Sequence, residues 1–212
     1  NIGTPVLDNV EKYTENTLLV IEMSSHQLEF VRQSPHIAAI LNLYQDHLDH
    51  DGTVEHYHQN KMNIMKYQTE DDYRIYSEDN DYLEKKIKEY PYKGIYHDDK
   101  RNIIGDHNLK NIIFVLTIAY IMKLDMNRAK EVIKNFKGLK YRMEYITNTH
   151  GIDFYNDTIA TIPDATINAI NSISNIETLI MGGMDRGIDY QKFIEFLKKS
   201  KLKTIICMPT TG

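Results

Sequence analysis

The chain has 212 residues and a formal net charge of -5, with 26% charged and 42% hydrophobic residues; that length buries a core in one large or two small domains, and the acidic balance leaves no nucleic-acid footprint. Its single cysteine, Cys207, excludes an internal disulfide, and no apolar run approaches the ~20 residues of a membrane helix. With neither a basic region nor a long apolar run at its start, the chain reads as cytoplasmic and not membrane-inserted.

In chain order, Asn1 to Pro5 is a loop and Val6 to Lys12 suits a short helix. Thr17 to Glu22 (TLLVIE) is a continuous apolar run ending on an acid, the pattern of a buried strand that delivers a polar group to its carboxyl edge. In open α/β sheets that edge binds ligands. Glu22 is then a magnesium-type ligand or a helix-cap acid, and Ser24 and Ser25 are in the plainer reading N-caps of a helix that begins near His26. Ile37 to Leu41 is a second buried strand, and it runs into Asp46, His47, Asp49 and His50. The stretch after Gly52 is helical, with Thr53 as cap, Val54, Tyr57 and Met62 on the apolar side and Lys61 near the middle. An imidazole and a carboxylate beside a lysine serve a hard cation or a phosphate, since magnesium prefers oxygen ligands. The alternative is a solvated acidic loop before a surface helix.

Tyr73 to Ser77 reads as a strand, Asp81 to Glu89 as a charged amphipathic helix, Lys93 to His97 as a short strand and Asp98 to Asn102 as a turn. Gly105 opens an apolar helix to about Met122, with Asn108 and Asn111 on one face of its first turn. Carboxamides there hydrogen-bond a base edge or a phosphate, or simply cap the helix. A helix from Met126 to Asn135 precedes Phe136 to Lys140, which reads as a hinge because Gly138 ends the helix and polar residues follow. Strand signals then restart: Arg142 to Thr147 and Ile152 to Tyr155 around a turn at His150-Gly151, a helix from Ala165 to Ser172 after Pro163, a strand from Glu177 to Met181, a helix from Tyr190 to Lys199 and a strand from Thr204 to Met208. Gly182 to Gly187 is a glycine-rich loop at a strand end, weakly diagnostic by itself. The fold class is α/β, divided near residues 138 to 142 into two units with separate cores.

The series IEMSSHQLE, ILNLYQDHLDHDG, YHQNK, GDHNLKN, FKGLKYRME, YNDTIAT and GGMDRGIDY resembles, in order and approximate spacing, the Mur ligases of peptidoglycan synthesis. The acid-His cluster and following lysine are shared with folylpolyglutamate synthases, but the run Glu22 to Leu28 is similar to the D-glutamate-adding branch. The resemblance implies that residues 1–140 form most of a central, mostly parallel-sheet ATPase-type domain and residues 141–212 the first part of a Rossmann-like domain for the amino acid. It implies ATP and two magnesium ions as cofactors, UDP-N-acetylmuramoyl-L-alanine and D-glutamate as partners, and a monomeric parent protein.

Residue by residue, the resemblance makes Glu22 a ligand of the magnesium on the ATP phosphates and puts His47 at a second magnesium. Lys61 matches a lysine that relatives carry as a carbamate, and Ser24 lies by the nucleotide-sugar substrate. Asn108 and Asn111 match adenine contacts, Arg142 and Asp157 contacts to ATP phosphate and ribose, and Thr161 and Arg186 positions near the D-glutamate carboxylates. Two departures stand out: many relatives have lysine where this chain has Ile159, and several have lysine where it has Arg186, a change that keeps charge but alters geometry. No stretch fits the phosphate loop G-x-x-x-x-G-K-S/T, which in the family precedes the segment at Asn1 to Pro5. The 212 residues alone are therefore expected to lack ligase activity and to bind ATP weakly at most, as a non-catalytic fragment of an active enzyme.

Overall fold

The computed structural model describes residues 5–44, 51–76, 106–185 and 187–212. A 3-10 helix spans Val6–Lys12, followed by α1 (Ser25–Glu29), β1 (Ile37–Ile40), α2 (Val54–Lys66) and β2 (Tyr73–Tyr76). β1 and β2 pair in parallel, Ile37 opposite Tyr73 through Ile40 opposite Tyr76. Parallel neighbours need a crossover, and α2 lies within it. Thr53 starts α2 by accepting the His56 backbone N–H at 3.1 Å, which satisfies one of the donors a helix start leaves open. The helix then buries Tyr57, Asn60, Met62 and Met65. Ala38, Ile40, Leu43, Met62 and Met65 form the core, with Ile64 and Tyr76 against it.

The short α1 docks on α2. Leu28 is buried, and the Asn63 amide donates to the carbonyls of Leu28 at 3.0 Å and Glu29 at 3.4 Å, covering carbonyls that the helix end leaves open. Below the sheet, Gln68 donates to Pro35 O at 2.8 Å and Tyr73 O at 3.0 Å, and accepts from the buried Arg74 guanidinium at 3.1 Å. Next to it, Asp72 accepts from Thr69 N at 2.8 Å and pairs with His36 Nδ1 at 2.9 Å. The Thr69 backbone N–H first, and His36 second, hold the Asp72 carboxyl below the ordinary carboxylate range. A depressed carboxyl pKa stabilises the folded state above the unfolded value, so this contribution is lost as pH falls through the acidic carboxylate range. Asp72→Ala is expected to cost about 1 kcal/mol at neutral pH, discounted for solvent access, and progressively less in acid. Urea titrations at neutral and acidic pH check it; a cost that grows in acid contradicts it.

Next come α3 (Asp106–Ile121) and α4 (Met126–Asn135), then the hairpin of β3 (Glu144–Thr149) and β4 (Ile152–Asn156). Asp125 caps α4 by accepting from Asn127 N and Arg128 N. The hairpin turns on His150 and Gly151, both at positive φ, as a tight antiparallel connection requires. α5 (Pro163–Ser172) has Pro163 in its first turn. β5 (Thr178–Met181) and β6 (Thr204–Cys207) pair in parallel, with α6 (Gln191–Lys199) between them in sequence. Ala169, Ile170 and Phe193 supply the buried apolar residues of α5 and α6.

The α/β class expected from the sequence is observed, with parallel pairs on both sides of Gly138 and an antiparallel hairpin among the described residues. Two expectations are corrected. Residues 17–22 are extended but join no ladder among the described residues, and Val20 is 90% exposed. An apolar run becomes a buried strand only where a neighbour takes its backbone hydrogen bonds. β3 begins at Glu144, not Arg142, because Tyr141 (φ 63) and Met143 (φ 44) are in left-handed conformations that an extended strand excludes. The expected elements between residues 81 and 102 lie outside the described residues. No helix among the described residues is long and apolar enough to cross a membrane.

Candidate functional site

Lys61 lies on the middle turns of α2, half-buried. One helical turn separates it from Tyr57, and its Nζ sits 4.8 Å from the centroid of that ring, within cation–π range. The attraction belongs to the ammonium form. A carbamate on Nζ would set negative charge against the negative ring face, so that form needs cations close by. His58 lies on the next face. Burial lowers its pKa, outweighing the raising effects of a hydrogen bond to the Tyr44 backbone and of Glu55, and the Lys61 charge pushes the same way as burial. His58 is therefore a neutral imidazole at neutral pH.

Glu22 is exposed at the end of the extended segment, which pairs with no strand among the described residues, in place of the strand end expected. Ser24 is the N-cap of α1: its Oγ accepts from Gln27 N at 3.3 Å, and Gln27 Oε1 accepts from Ser24 N at 2.9 Å. This reciprocal pair is a capping box, so the plainer capping role is present. Asp51 and Asn60, which the sequence reading did not single out, form a buried cluster with Ser25. In one dimension Asp51 is merely the last acid of a polar loop, and no pattern marks it as interior.

Farther along the chain, Asn111 is half-buried in the second turn of α3. Asn108 is in the same helix, its side chain outside the described residues. Arg142 and Asp157, eighty or more residues beyond Lys61, are brought close to each other: Asp157 Oδ1 accepts from Met143 N at 3.0 Å. The Tyr141 carbonyl accepts from Ile159 N at 3.3 Å, and Glu144 Oε2 accepts from Tyr141 N at 2.8 Å. These bonds hold Arg142 between two residues at positive φ, a conformation that persists only when its surroundings enforce it. Thr161 is exposed at the end of the same loop. His47 and Arg186 lie outside the described residues, so the expected approach of His47 to Lys61 does too. Among the described residues no three His, Cys, Asp or Glu side chains converge on a metal position.

Residues 1–97 match the Mur ligase middle domain. The UDP-N-acetylmuramoylalanine--D-glutamate ligase of Clostridioides difficile is 33% identical over the whole chain, and the chain covers 53% of it. The chain belongs to the Mur ligase family. It spans about half the length of the curated relatives it matches. Two solved Mur ligases share the fold: MurF from Acinetobacter baumannii, with a TM-score of 0.69 and 16% identity over 82% of this chain and 47% of that one, and MurF from Thermotoga maritima in complex with ADP, with a TM-score of 0.65 and 18% identity over 84% and 50%.

Proposed function

We propose that the protein is an ATP-dependent amide ligase that joins D-glutamate to UDP-N-acetylmuramoyl-L-alanine in peptidoglycan synthesis. The observation that carries this reading is the identity to D-glutamate ligases along the entire chain, beyond the middle domain that Mur ligases have in common. The ADP complex of a Mur ligase of the same fold supports the nucleotide. In this reading the substrate carboxylate attacks the γ-phosphate and ADP leaves; the D-glutamate amine then attacks the acyl phosphate, phosphate departs and the amine proton passes to solvent. The protein's task is positioning and charge neutralisation.

The donor set suits magnesium, because Glu22 offers carboxylate oxygens and a carbamate on Lys61 would offer more. Glu22, His47 and carbamylated Lys61 would hold two ions, which supply neutralisation of the phosphate oxygens. Asn108 and Asn111 face the adenine, Arg142 and Asp157 the phosphate and ribose, Thr161 and Arg186 the amino-acid carboxylates, and Ser24 the nucleotide sugar. The units before and after residues 138 to 142 are separate domains, and closure about Gly138 brings the amino acid to the acyl phosphate. The phosphate loop lies outside these 212 residues, the parent acts as a cytoplasmic monomer, and the 212 residues alone do not turn over.

The test supplies the gene's full-length product with ATP, magnesium, UDP-N-acetylmuramoyl-L-alanine and D-glutamate. Phosphate release is expected to require both substrates and to fail with L-glutamate; the 212-residue chain is expected to release none above background. Release that ignores the UDP-sugar overturns the substrate assignment.

A further inference from the structure

We infer that Asp51 is a positioning residue, which locks the first turn of α1, with Ser24 and Ser25, against the Lys61 turn of α2. Its side chain is buried, with the residue 4% exposed, and each carboxylate oxygen has a separate donor. Oδ2 accepts from Ser25 Oγ at 3.2 Å and Oδ1 from the Asn60 amide at 2.8 Å. Both partners are themselves buried. The backbone carbonyl of Asp51 accepts from Thr53 N at 2.8 Å and meets His56 Nδ1 at 2.9 Å, so the residue is fixed at main chain and side chain alike.

Ser25 directly follows Ser24, and Asn60 directly precedes Lys61. One carboxylate therefore ties together two turns that carry candidate site residues. The tie matters because α1 has only five residues, too few for a helix to hold itself, and residues 17–22 join no ladder among the described residues. The orientation of the Glu22–Ser24 end thus depends on how α1 docks. Asn63 fixes the far end of α1 through the Leu28 and Glu29 carbonyls, and Asp51 fixes the near end. Stability alone does not account for an interior carboxylate, since apolar residues of equal volume are often at least as stabilising; a unique geometry is what such a group supplies.

The inference rests on the proposed ligase reading for the roles of Ser24 and Lys61, while the network itself does not. The test compares Asp51→Asn and Asp51→Leu in the full-length protein. The Asn variant keeps an acceptor for Asn60 and turns its amide toward Ser25 Oγ, which then accepts. The Leu variant has similar volume but strands both donors. Per folded molecule, counted by thermal melting, Asp51→Leu is expected to lower kcat about tenfold or more with KM for ATP within about threefold, and Asp51→Asn to recover most of it. Unchanged kcat in the Leu variant, or equal losses in both variants, overturns the inference. Should the wild-type protein not ligate, the ligase reading falls, and amide hydrogen exchange of the same variants decides: faster exchange at Ser25–Gln27 and at Asn60–Lys61 together in Asp51→Leu supports the lock, and unaltered exchange at either overturns it.

Discussion

Lys61→Ala is expected to lower turnover of the full-length protein in the proposed reaction by about a hundredfold or more while changing ATP affinity by less than about threefold. The contrast follows from what Lys61 does in the proposed reaction. As an ammonium it would attract ATP phosphates in the ground state, and its loss would weaken binding and turnover together. As a carbamate it is an anion that supports a metal, and most of its value appears only when charge shifts between the phosphoryl group and the acceptor carboxylate. The ammonium form has Tyr57 as a partner at 4.8 Å, a contact with the ring face that an anion does not favour. Lys61→Arg separates them further: it keeps the positive charge and the cation–π contact but cannot be carbamylated. Little activity in Lys61→Arg, together with partial rescue of Lys61→Ala by a small carboxylic acid, is the expected pattern. Equal losses of turnover and ATP affinity in Lys61→Ala, restored by arginine, would assign the ammonium form instead.

Local signals were legible in the sequence wherever the cause was local. Thr53 begins α2 through its own hydroxyl, Pro163 sits in a first turn that needs no N–H from it, and α4 has the expected bounds, Met126–Asn135. Legibility failed where the cause was a distant partner. The run TLLVIE has the composition of a buried strand, but pairing is a property of two segments, and none among the described residues supplies the second. β3 starts later than its residue pattern suggests because Tyr141 and Met143 adopt positive φ, Met143 N donating to Asp157 from the far side of the hairpin, and nothing in either residue type announces that. The site divides in the same way. The pairing of the Arg142 turn with Asp157 brings together two residues named from a resemblance. Asp51 is not legible in the sequence because a buried acid and a solvated one have the same residue pattern, and its burial depends on Ser25 and Asn60, which close over it.

The second large effect belongs to the other end of the chain. Gly182→Ala is expected to destabilise the β5–β6 unit by about 3 kcal/mol or more, through overpacking and backbone strain together. A Cβ on Gly182 would lie 2.5 Å from the Met208 carbonyl oxygen and 2.9 Å from the Met208 Cβ, closer than such atoms approach. Neither neighbour is the end of a flexible side chain, so relief requires the strand ends to separate. They are held there by Met208 N donating to Met181 O at 2.8 Å, and by Thr210 N and Thr211 N donating to Gly183 O at 3.3 Å each. The backbone adds its own cost, because Gly182 has φ +149, which L residues rarely adopt. Gly183 provides the control: its φ is +156, yet a Cβ there meets nothing within 4 Å. Gly183→Ala should therefore show the conformational part alone, about 1–3 kcal/mol. Urea unfolding of both variants measures the difference, and equal destabilisation would show that Met208 yields more readily than its backbone contacts imply. Because Arg186 follows Gly182 by four residues and is the proposed D-glutamate contact, Gly182→Ala is also expected to raise KM for D-glutamate and leave KM for ATP unchanged. A rise in both would mean that the strand ends of β5 and β6 also bear on the ATP contacts proposed for Arg142 and Asp157, which lie on the same side of Gly138.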